Sequence, residues 1–257
     1  MKSLDDAGVM NHAYAAGIVE SALAGMRVTE ERLPFTIRVV RDSGALDKAV
    51  AIRQAAYARH VPEFAAKLCA PEPNDNDPGS VVLLAESRMD GSPLGTMRIQ
   101  TNRFKDLAIA GSVELPSWLE GRSMAEATRL GVALGHTGRV VKTTLFKAFF
   151  LYCQEANIDW MVIAARPPLD RQYEALLFQD LFPGQFIPMR HGNNIPHRVL
   201  AFEVGTAEER WADARHPLFK FVFETQHPDI DLSDADFSAW SHTVNPANLQ
   251  RRAVAGA

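Results

Sequence analysis

A glycine-containing basic turn comes directly before an apolar helical stretch in the middle of this 257-residue chain. The turn spans residues 135–142, and its candidate ligand-binding residues are Gly135, Gly138, Arg139 and Lys142. A helix that begins at such a turn exposes unpaired backbone N–H groups and the positive end of its dipole. Such groups bind phosphate or pyrophosphate, so the turn is the predicted phosphate site. The alternative is an ordinary strand–helix connection with charged flanks.

A carboxylate lies one strand length before this turn, at Glu126, and Arg129 follows three residues later. A carboxylate can take a proton from a nucleophile directly or through one water molecule. Because side chains alternate along a regular strand, Glu126 and Arg129 face opposite sides unless the strand is bulged. A shared site therefore requires a bulge. The alternatives are a surface acid or, if this stretch is a helix and not a strand, an i,i+3 pair with Arg129.

The composition excludes several classes of protein. With 47% hydrophobic and 23% charged residues, the chain has the composition of an ordinary globular protein. Its formal net charge of −4 gives no bulk attraction to nucleic acid or anionic membranes, so neither is an expected partner. Acids stand where a signal peptide needs positive charge, and no apolar run reaches membrane-spanning length, which predicts a cytoplasmic protein without a membrane span.

The two cysteines, Cys69 and Cys153, lie in apolar helical surroundings without metal-ligand spacing. We expect both to be reduced and buried, and we predict neither a metal site nor a tightly bound cofactor. The three histidines His191, His197 and His216 show no paired ligand geometry, which favours structural or surface roles for them.

Hydrophobic periodicity predicts an α/β chain with the order β-α-(α)-β-β-β-α-β-α-β-β. This order favours a mostly antiparallel early sheet followed by βαβ crossovers. Residues 124–134 are predicted as a strand and 142–156 as a largely buried helix. Residues 71–79 are predicted as a loop with little capacity for burial.

Three sequence stretches occupy the first helix, the third strand and the fourth strand of this order. They are Ile52-Arg53-Gln54-Ala55-Ala56-Tyr57, Gly95-Thr96-Met97-Arg98-Ile99 and Glu126-Ala127-Thr128-Arg129-Leu130-Gly131-Val132. Together they resemble the branch of GNAT acyltransferases that contains acyl-homoserine-lactone synthases and N-acyl amino acid synthases. The third stretch and the later His216-Pro217-Leu218 favour the N-acyl amino acid synthases.

The resemblance implies a GNAT fold, in which helices flank a mixed central sheet. It covers roughly residues 35–205. We therefore expect a helical N-terminal arm at 1–33, a GNAT-like catalytic domain at 34–205, and a helical C-terminal extension with a polar tail at 206–257. The turn departs from the (Q/R)-x-x-G-x-(G/A) pattern of acetyl-CoA-dependent members, because residues 136–140 hold one central glycine. An acyl carrier protein presents a single phosphodiester, for which such a turn could suffice.

The resemblance also implies an activity. An N-acyltransferase of this branch moves a medium or long acyl chain from acyl-ACP or acyl-CoA to an amino acid or related small amine. One alternative is an acyl-homoserine-lactone synthase that uses S-adenosylmethionine. Another is a non-catalytic GNAT-like module that binds an acyl carrier or acyl ligand.

The resemblance further implies roles for individual residues. Glu126 serves as the general base for direct attack on the thioester. Arg98 and Arg129 orient the acceptor carboxylate or keep Glu126 ionised, and their alternative is an internal salt bridge. Arg53 and Tyr57 border the acceptor pocket, and their alternative is a solvated arginine over a core tyrosine.

Two further features concern the donor. A strand N–H near Leu130 and Val132 polarises the thioester carbonyl. The phenylalanines of residues 146–150 either line an acyl-chain tunnel or form ordinary core.

Overall fold

The structure is a computed structural model that describes residues 29–235. Its strands are β1 (Thr29–Glu30), β2 (Phe35–Val39), β3 (Ser80–Ser87), β4 (Pro93–Thr101), β5 (Met124–Val132), β6 (Trp160–Ala165), β7 (Gln179–Asp180), β8 (Ile187–Met189), β9 (Ile195–Glu203), β10 (Thr225–Gln226) and β11 (Ile230–Asp231). Its α-helices are α1 (Ser43–Ala58), α2 (Pro62–Ala65), α3 (Gly135–Glu155), α4 (Leu169–Ala175) and α5 (Ala207–Asp213). Short 3₁₀ helices cover Ala66–Leu68, Pro73–Asp75, Ala108–Gly111, Ser117–Leu119 and Arg190–Gly192, and a π-helical turn covers Lys220–Glu224.

A mixed sheet in the order β11-β2-β3-β4-β5-β6-β9-β7 forms the centre of the fold. Strands β2 to β5 pair antiparallel, whereas β5 and β6 pair parallel and are connected through α3. Parallel neighbours need such a crossover because the chain must return to the end at which the first strand began before it forms the second. A short turn cannot span that distance. The predicted α/β order, with an antiparallel early sheet and a later βαβ crossover, is confirmed.

Helix α3 packs closely on the sheet and supplies much of the core. Leu145, Phe149 and Phe150 on this helix are buried with strand residues in one continuous apolar cluster. Gly95 on β4 permits the close approach, because a Cβ there would lie 2.6 Å from Cγ1 of Val141. The helix therefore holds a fixed position over β4 and β5.

Helix α3 begins at Gly135, and the prediction that the helix starts at residue 142 was wrong. Gly135 has φ +81°, a conformation that glycine adopts without steric cost. A Cβ at Gly138 would lie 1.7 Å from the carbonyl oxygen of Ala133, so the end of β5 packs directly against the first turn. This packing outweighs the low helix propensity of the two glycines.

The chain termini lie partly outside the described residues. Of the predicted arm at 1–33, only residues 29–33 are described, and they include β1. Of the predicted extension at 206–257, residues 206–235 are described. Within them, α5 packs on the main core through the buried Trp211, and β11 extends the central sheet beside β2. Residues 216–226, predicted as helical, contain the π-helical turn and β10 instead of an α-helix.

Two smaller predictions need correction. Cys69 is exposed, and only Cys153 is buried as expected. Residues 71–79 were expected to bury little, yet Asp75 is a buried residue at 7% exposure.

Within residues 29–235, no helix is long and apolar enough to cross a membrane.

Candidate active site

Strand β5 is bulged where the third sequence stretch lies. Its pairing with β4 shifts register between Thr96 and Arg98, and Arg129 has φ 57°. A positive φ is uncommon for a residue other than glycine, and such strained positions cluster at functional sites. The bulge turns Arg129 out of the regular alternation, as a site shared with Glu126 requires. The bulge that a shared site requires is therefore present.

A groove opens where β5 and β6 separate. Their pairing ends at Ala127 and Ile163, while β6 continues to pair with β9 as far as Ala165. The groove has a volume of about 360 Å³, and its walls include the predicted residues Tyr57, Arg129, Leu130, Val132 and Lys142. The edge of β5 that is no longer paired with β6 faces this space. The predicted N–H group that polarises the thioester carbonyl has to lie on this edge.

The charged residues that line the groove are all basic. Basic residues reach it from four different segments, and no acidic residue of the described chain lines it. These basic residues are Arg59, Arg129, Lys142 and Arg166, and they are joined by His60, His191 and His197. Arg59 is fixed on the free edge of β5, where its Nη2 donates to the carbonyl of Val132 at 2.7 Å. The groove therefore suits anionic ligands.

A buried cluster of ion pairs lies behind the groove, and we call it the arginine cluster. It consists of Arg53, Arg98 and Arg129 with Glu72 and Asp75. Nη1 and Nη2 of Arg53 donate to the two carboxylate oxygens of Asp75 at 3.0 and 2.9 Å. Nε and Nη2 of Arg129 donate to the two oxygens of Glu72 at 2.6 and 2.7 Å. Three guanidinium groups thus face two carboxylates.

Arg98 joins the two halves of this cluster. Its Nη1 donates to both carboxylates, at 3.1 Å to Glu72 and 3.0 Å to Asp75, and its Nε donates to Oγ1 of Thr128 at 3.1 Å. Burial opposes ionisation of the carboxylates, but hydrogen bonds from Arg129 and Arg53 lower the pKa values of Glu72 and Asp75 below their ordinary values. The cluster therefore remains ionised at neutral pH.

This arrangement corrects the sequence interpretation of Arg53 and Arg98. Arg53 is fully buried, so the interpretation of it as a solvated arginine was wrong. Neither residue lines the groove; both pair internally, and of the three arginines only Arg129 reaches the groove wall. Glu72 and Asp75 were missed because their loop has the composition of an exposed segment. The available signal was that Arg53, Arg98 and Arg129 lie on predicted helix and strand segments, where a buried arginine needs a buried anion as its partner.

Glu126 is completely buried beneath the groove and does not line it. Its Oε2 accepts a hydrogen bond from the backbone N–H of Ile109 at 3.1 Å, and its Oε1 has no hydrogen-bond partner among the described residues. Burial raises the pKa of Glu126 to about 7, although the charges of Arg98 and Arg129 act in the opposite direction. Near neutral pH this carboxyl group can therefore both hold and release a proton.

His191 lies between Glu126 and the groove. Its Nε2 is 3.6 Å from Oε1 of Glu126, and its ring forms part of the groove wall. Nη2 of Arg129 donates to the backbone carbonyl of His191 at 2.9 Å, so the bulge residue and the buried acid meet at one histidine. A structural or surface role was predicted for His191, because no local sequence pattern places this loop beside β5.

The predicted phosphate turn forms the first two turns of α3. The N-cap residue Leu134 supplies no side-chain hydrogen bond, so its side chain leaves the first backbone N–H groups of this helix uncapped. Of the four predicted residues, Lys142 lines the groove and Arg139 lines a neighbouring cavity, whereas Gly135 and Gly138 serve the tight connection.

The neighbouring cavity is apolar and has a volume of about 350 Å³. Its walls include Met97, Phe146, Leu176 and Leu218, and it shares with the groove Lys142, Leu169, Gln172 and Tyr173. Nζ of Lys142 donates to Oε1 of Gln172 between the two spaces. Of the phenylalanines in residues 146–150, Phe146 lines this cavity, and Phe149 and Phe150 belong to the core.

The buried acid makes a prediction about stability. Glu126 has a folded-state pKa above its ordinary 4.5, so its contribution to stability is fully present below pH 4.5 and is lost as pH rises through about 7. We expect Glu126→Gln to resemble the wild type at pH 5 and to be more stable at pH 8.5, by up to about 3 kcal/mol. Urea denaturation at both pH values measures this difference. An equal difference at both pH values would contradict the titration of Glu126 as its cause.

The arginine cluster makes a second prediction. Asp75→Asn removes a fully buried charge and leaves Glu72 as the one carboxylate facing the three guanidinium groups of the cluster, which should lower the free energy of unfolding by about 3–5 kcal/mol. The control is Asp77→Asn in the same loop, whose partly exposed pair with Lys105 should be worth less than about 1 kcal/mol. Equal losses in urea denaturation would show that the loop, and not the buried charge, carries the effect.

Comparisons with known structures support the fold. The solved structure of FeeM, an N-acyl amino acid synthase from uncultured soil microbes, is 20% identical with a TM-score of 0.58, and the match covers 73% of this chain and 96% of that one. The structure of the CoA-dependent acyl-homoserine lactone synthase BjaI with MTA is 14% identical with a TM-score of 0.51, and covers 84% and 99%. The predicted GNAT fold is confirmed.

Sequence comparison identifies the branch. A search of curated proteins gave no match. The family model of N-acyl amino acid synthase FeeM matches residues 48–189, which is more than half of the chain and includes the bulge, the arginine cluster and Glu126. The predicted N-acyltransferase activity and branch are confirmed, and the chain belongs to the N-acyl amino acid synthase FeeM family.

Proposed function

We propose that this N-acyltransferase joins a medium or long acyl group, carried as a thioester, to the amino group of an amino acid. The supporting observation is that a basic groove, without acidic lining from the described residues, shares part of its wall with an apolar cavity. An amino acid brings a carboxylate and a thioester carrier brings phosphate, so both reactants suit the groove. The acyl chain is uncharged and suits the cavity.

The donor is proposed to bind its phosphate at the start of α3. The first backbone N–H groups there have no cap from the Leu134 side chain, and Arg139 and Lys142 add positive charge on the same turns. The phosphodiester of an acyl carrier protein's phosphopantetheine and the phosphates of acyl-CoA share this chemistry. From this position the pantetheine arm leads along the groove, and the acyl chain enters the cavity beside Lys142 and Tyr173.

The acceptor carboxylate is proposed to bind Arg129. Its Nε and Nη2 are already engaged by Glu72 and the His191 carbonyl, whereas Nη1 makes no hydrogen bond to the described residues. Because the arginine cluster has one more positive charge than negative charges, Arg129 can accept a further anion. S-adenosylmethionine, the acceptor of the lactone-synthase alternative, carries a sulfonium cation that meets no carboxylate among the described residues of this groove.

The proposed reaction is direct attack. The amine nitrogen forms a bond to the thioester carbon, the carbon–sulfur bond breaks, and an amide and a free thiol result. An N–H on the free edge of β5 near Leu130 and Val132 stabilises the oxyanion, and Glu126 assists removal of the amine proton. Burial raises the pKa of Tyr173, so its phenol stays protonated and can donate to the leaving sulfur from the boundary of the two spaces. Arg98 orders the cluster and does not contact the substrate.

The activity test offers the purified chain dodecanoyl-CoA and dodecanoyl-ACP with each standard amino acid, with S-adenosylmethionine and with spermidine. We expect thiol release together with an N-dodecanoyl amino acid, identified by mass spectrometry. Acyl-homoserine lactone as the product would favour the lactone-synthase alternative. Binding of the donor without thiol release with any amine would favour the non-catalytic alternative.

The apolar cavity makes a prediction about chain length. Thr143 lines it from α3 and is half-buried, so Thr143→Phe fills part of the space while the groove remains unchanged. We expect kcat/KM for the longest accepted acyl chain to fall about 10-fold or more, and shorter chains to be affected less. The control Thr143→Val keeps the volume and should keep the chain-length profile. A uniform loss across all lengths would contradict this assignment.

A further inference from the structure

The groove lies between two separated strands, so residues from both faces of the sheet line it. On one face, α3 and α4 supply Lys142, Gln172 and Tyr173. Ile163 and Ala165 of β6 point to this face and belong to the core under α3. The proposed phosphate and acyl sites both lie on these two helices, and we call this face the donor side.

Arg166 and His197 lie on the opposite face. Ala164 on β6 and Val199 on β9 are paired with each other and pack there in an apolar cluster separate from the core under α3. Because side chains alternate along a strand, residues two positions further on share the same face. Continuing the β6–β9 register by two residues places Arg166 opposite His197, and both line the groove.

Arg129 reaches the groove from the same face as Arg166. Its Nη2 donates to the backbone carbonyl of His191 at 2.9 Å, and His191 follows Met189, a member of the same apolar cluster. The proposed site for the acceptor carboxylate is therefore on this face, which we call the acceptor side. It carries two arginines, although a single carboxylate needs only one.

Two histidines occupy the space between these arginines. Burial lowers the pKa of His197, and the charge of Arg166 acts in the same direction. Burial also lowers the pKa of His191 to about 4, with the charges of Arg129 and His197 acting in the same direction. Each group in the row from Arg129 to Arg166 thus influences its neighbour. Both imidazoles are mainly neutral at neutral pH, so the two guanidinium groups are the fixed charges of the acceptor side.

Arg166 differs from the nearby Arg198 in its partners. Arg198 of β9 points to the donor side and pairs with three acids, Asp170, Glu174 and Asp180. Arg166 has no acid within ion-pair distance among residues 29–235, and no acidic residue of that range lines the groove. Its backbone is nevertheless held, because its carbonyl accepts from the N–H of Leu169 at 2.8 Å. A positioned guanidinium without a protein counterion suits a carboxylate of a ligand.

We propose that the acceptor is a dicarboxylic amino acid, whose α-carboxylate binds Arg129 and whose side-chain carboxylate binds Arg166. This inference rests on the proposed acyl transfer and keeps its chemistry. The amino nitrogen forms the amide bond, the carbon–sulfur bond breaks, and the hydrogen lost from nitrogen is balanced by the one on the released thiol. Arg166 is then the residue that determines acceptor specificity. A neutral side chain leaves this arginine without a counterion, and a basic side chain is repelled by it.

The experiment compares each acid with its own amide, which has nearly the same shape and no charge. It measures kcat/KM of the full chain for glutamate, glutamine, aspartate and asparagine, with the dodecanoyl thioester that the wild type uses. We expect one acid to be preferred over its amide by about 10-fold or more. Arg166→Gln should lower kcat/KM for that acid by about 10–10²-fold, mainly through KM, with little change for the amide. The acid-to-amide ratio is measured within one protein, so a partly unfolded preparation does not alter it.

The matched control is Arg171→Gln. Arg171 is an exposed arginine on α4, five residues after Arg166, and it does not line the groove. The substitution removes the same charge from the same segment and should keep the wild-type acid-to-amide ratio.

The outcomes separate this inference from the proposed function. A wild type that prefers neutral amino acids, or a folded Arg166→Gln that keeps the wild-type ratio, overturns the inference while the acyl transfer stands. If Arg166→Gln raises KM for the thioester and leaves the ratio unchanged, Arg166 binds a phosphate of the donor and the inference is likewise overturned. A wild type that forms no N-acyl product with any amino acid overturns the proposed function itself.

Discussion

The ion pairs among Arg53, Arg98, Arg129, Glu72 and Asp75 join four separate segments of the chain at one buried point. Helix α1, strands β4 and β5 and the loop after α2 each supply at least one charge. Desolvation makes every one of these charges costly alone, so the segments are stable together only when all the partners are present. The bulge in β5, the position of the loop and the wall of the groove all depend on this balance.

The same balance determines the electrostatics of the groove. Two carboxylates neutralise two of the three guanidinium groups, and the remaining positive charge is next to the space that receives substrate. It is too weak to keep Glu126 ionised under all conditions, because burial raises the pKa of Glu126 to about 7 in spite of Arg98 and Arg129. The site thus combines fixed positive charge, which suits binding, with one carboxyl group that titrates near neutral pH.

Much of the fold could be predicted from the sequence because its signals are local. Alternation in β2 and the apolar circumference of α3 depend on neighbouring residues, and the resemblance added Glu126 and Arg129. The start of α3 at Gly135 was missed because it depends on packing against the Ala133 carbonyl, which outweighs local propensity. Glu72 and Asp75 were missed because their partners lie 19–57 residues away in sequence. His191 reaches Glu126 only through the order of β5, β6 and β9, which no short pattern contains.

Helix α3 connects the two ends of the proposed site, and a buried lysine anchors its middle to the C-terminal segment. Lys147 is buried at 2% exposure among the apolar residues of this helix that face the core. Its Nζ donates to the carbonyl of Phe221 at 2.7 Å and to that of Thr225, and it lies 2.9 Å from Nδ1 of His227. Since a buried ammonium needs several acceptors, this contact fixes the C-terminal segment against the helix. That segment carries Leu218 into the wall of the apolar cavity. The residues after β9 are therefore part of the proposed acyl site, and the shape of the cavity depends on a contact between Lys147, inside the family-matched region, and residues beyond it.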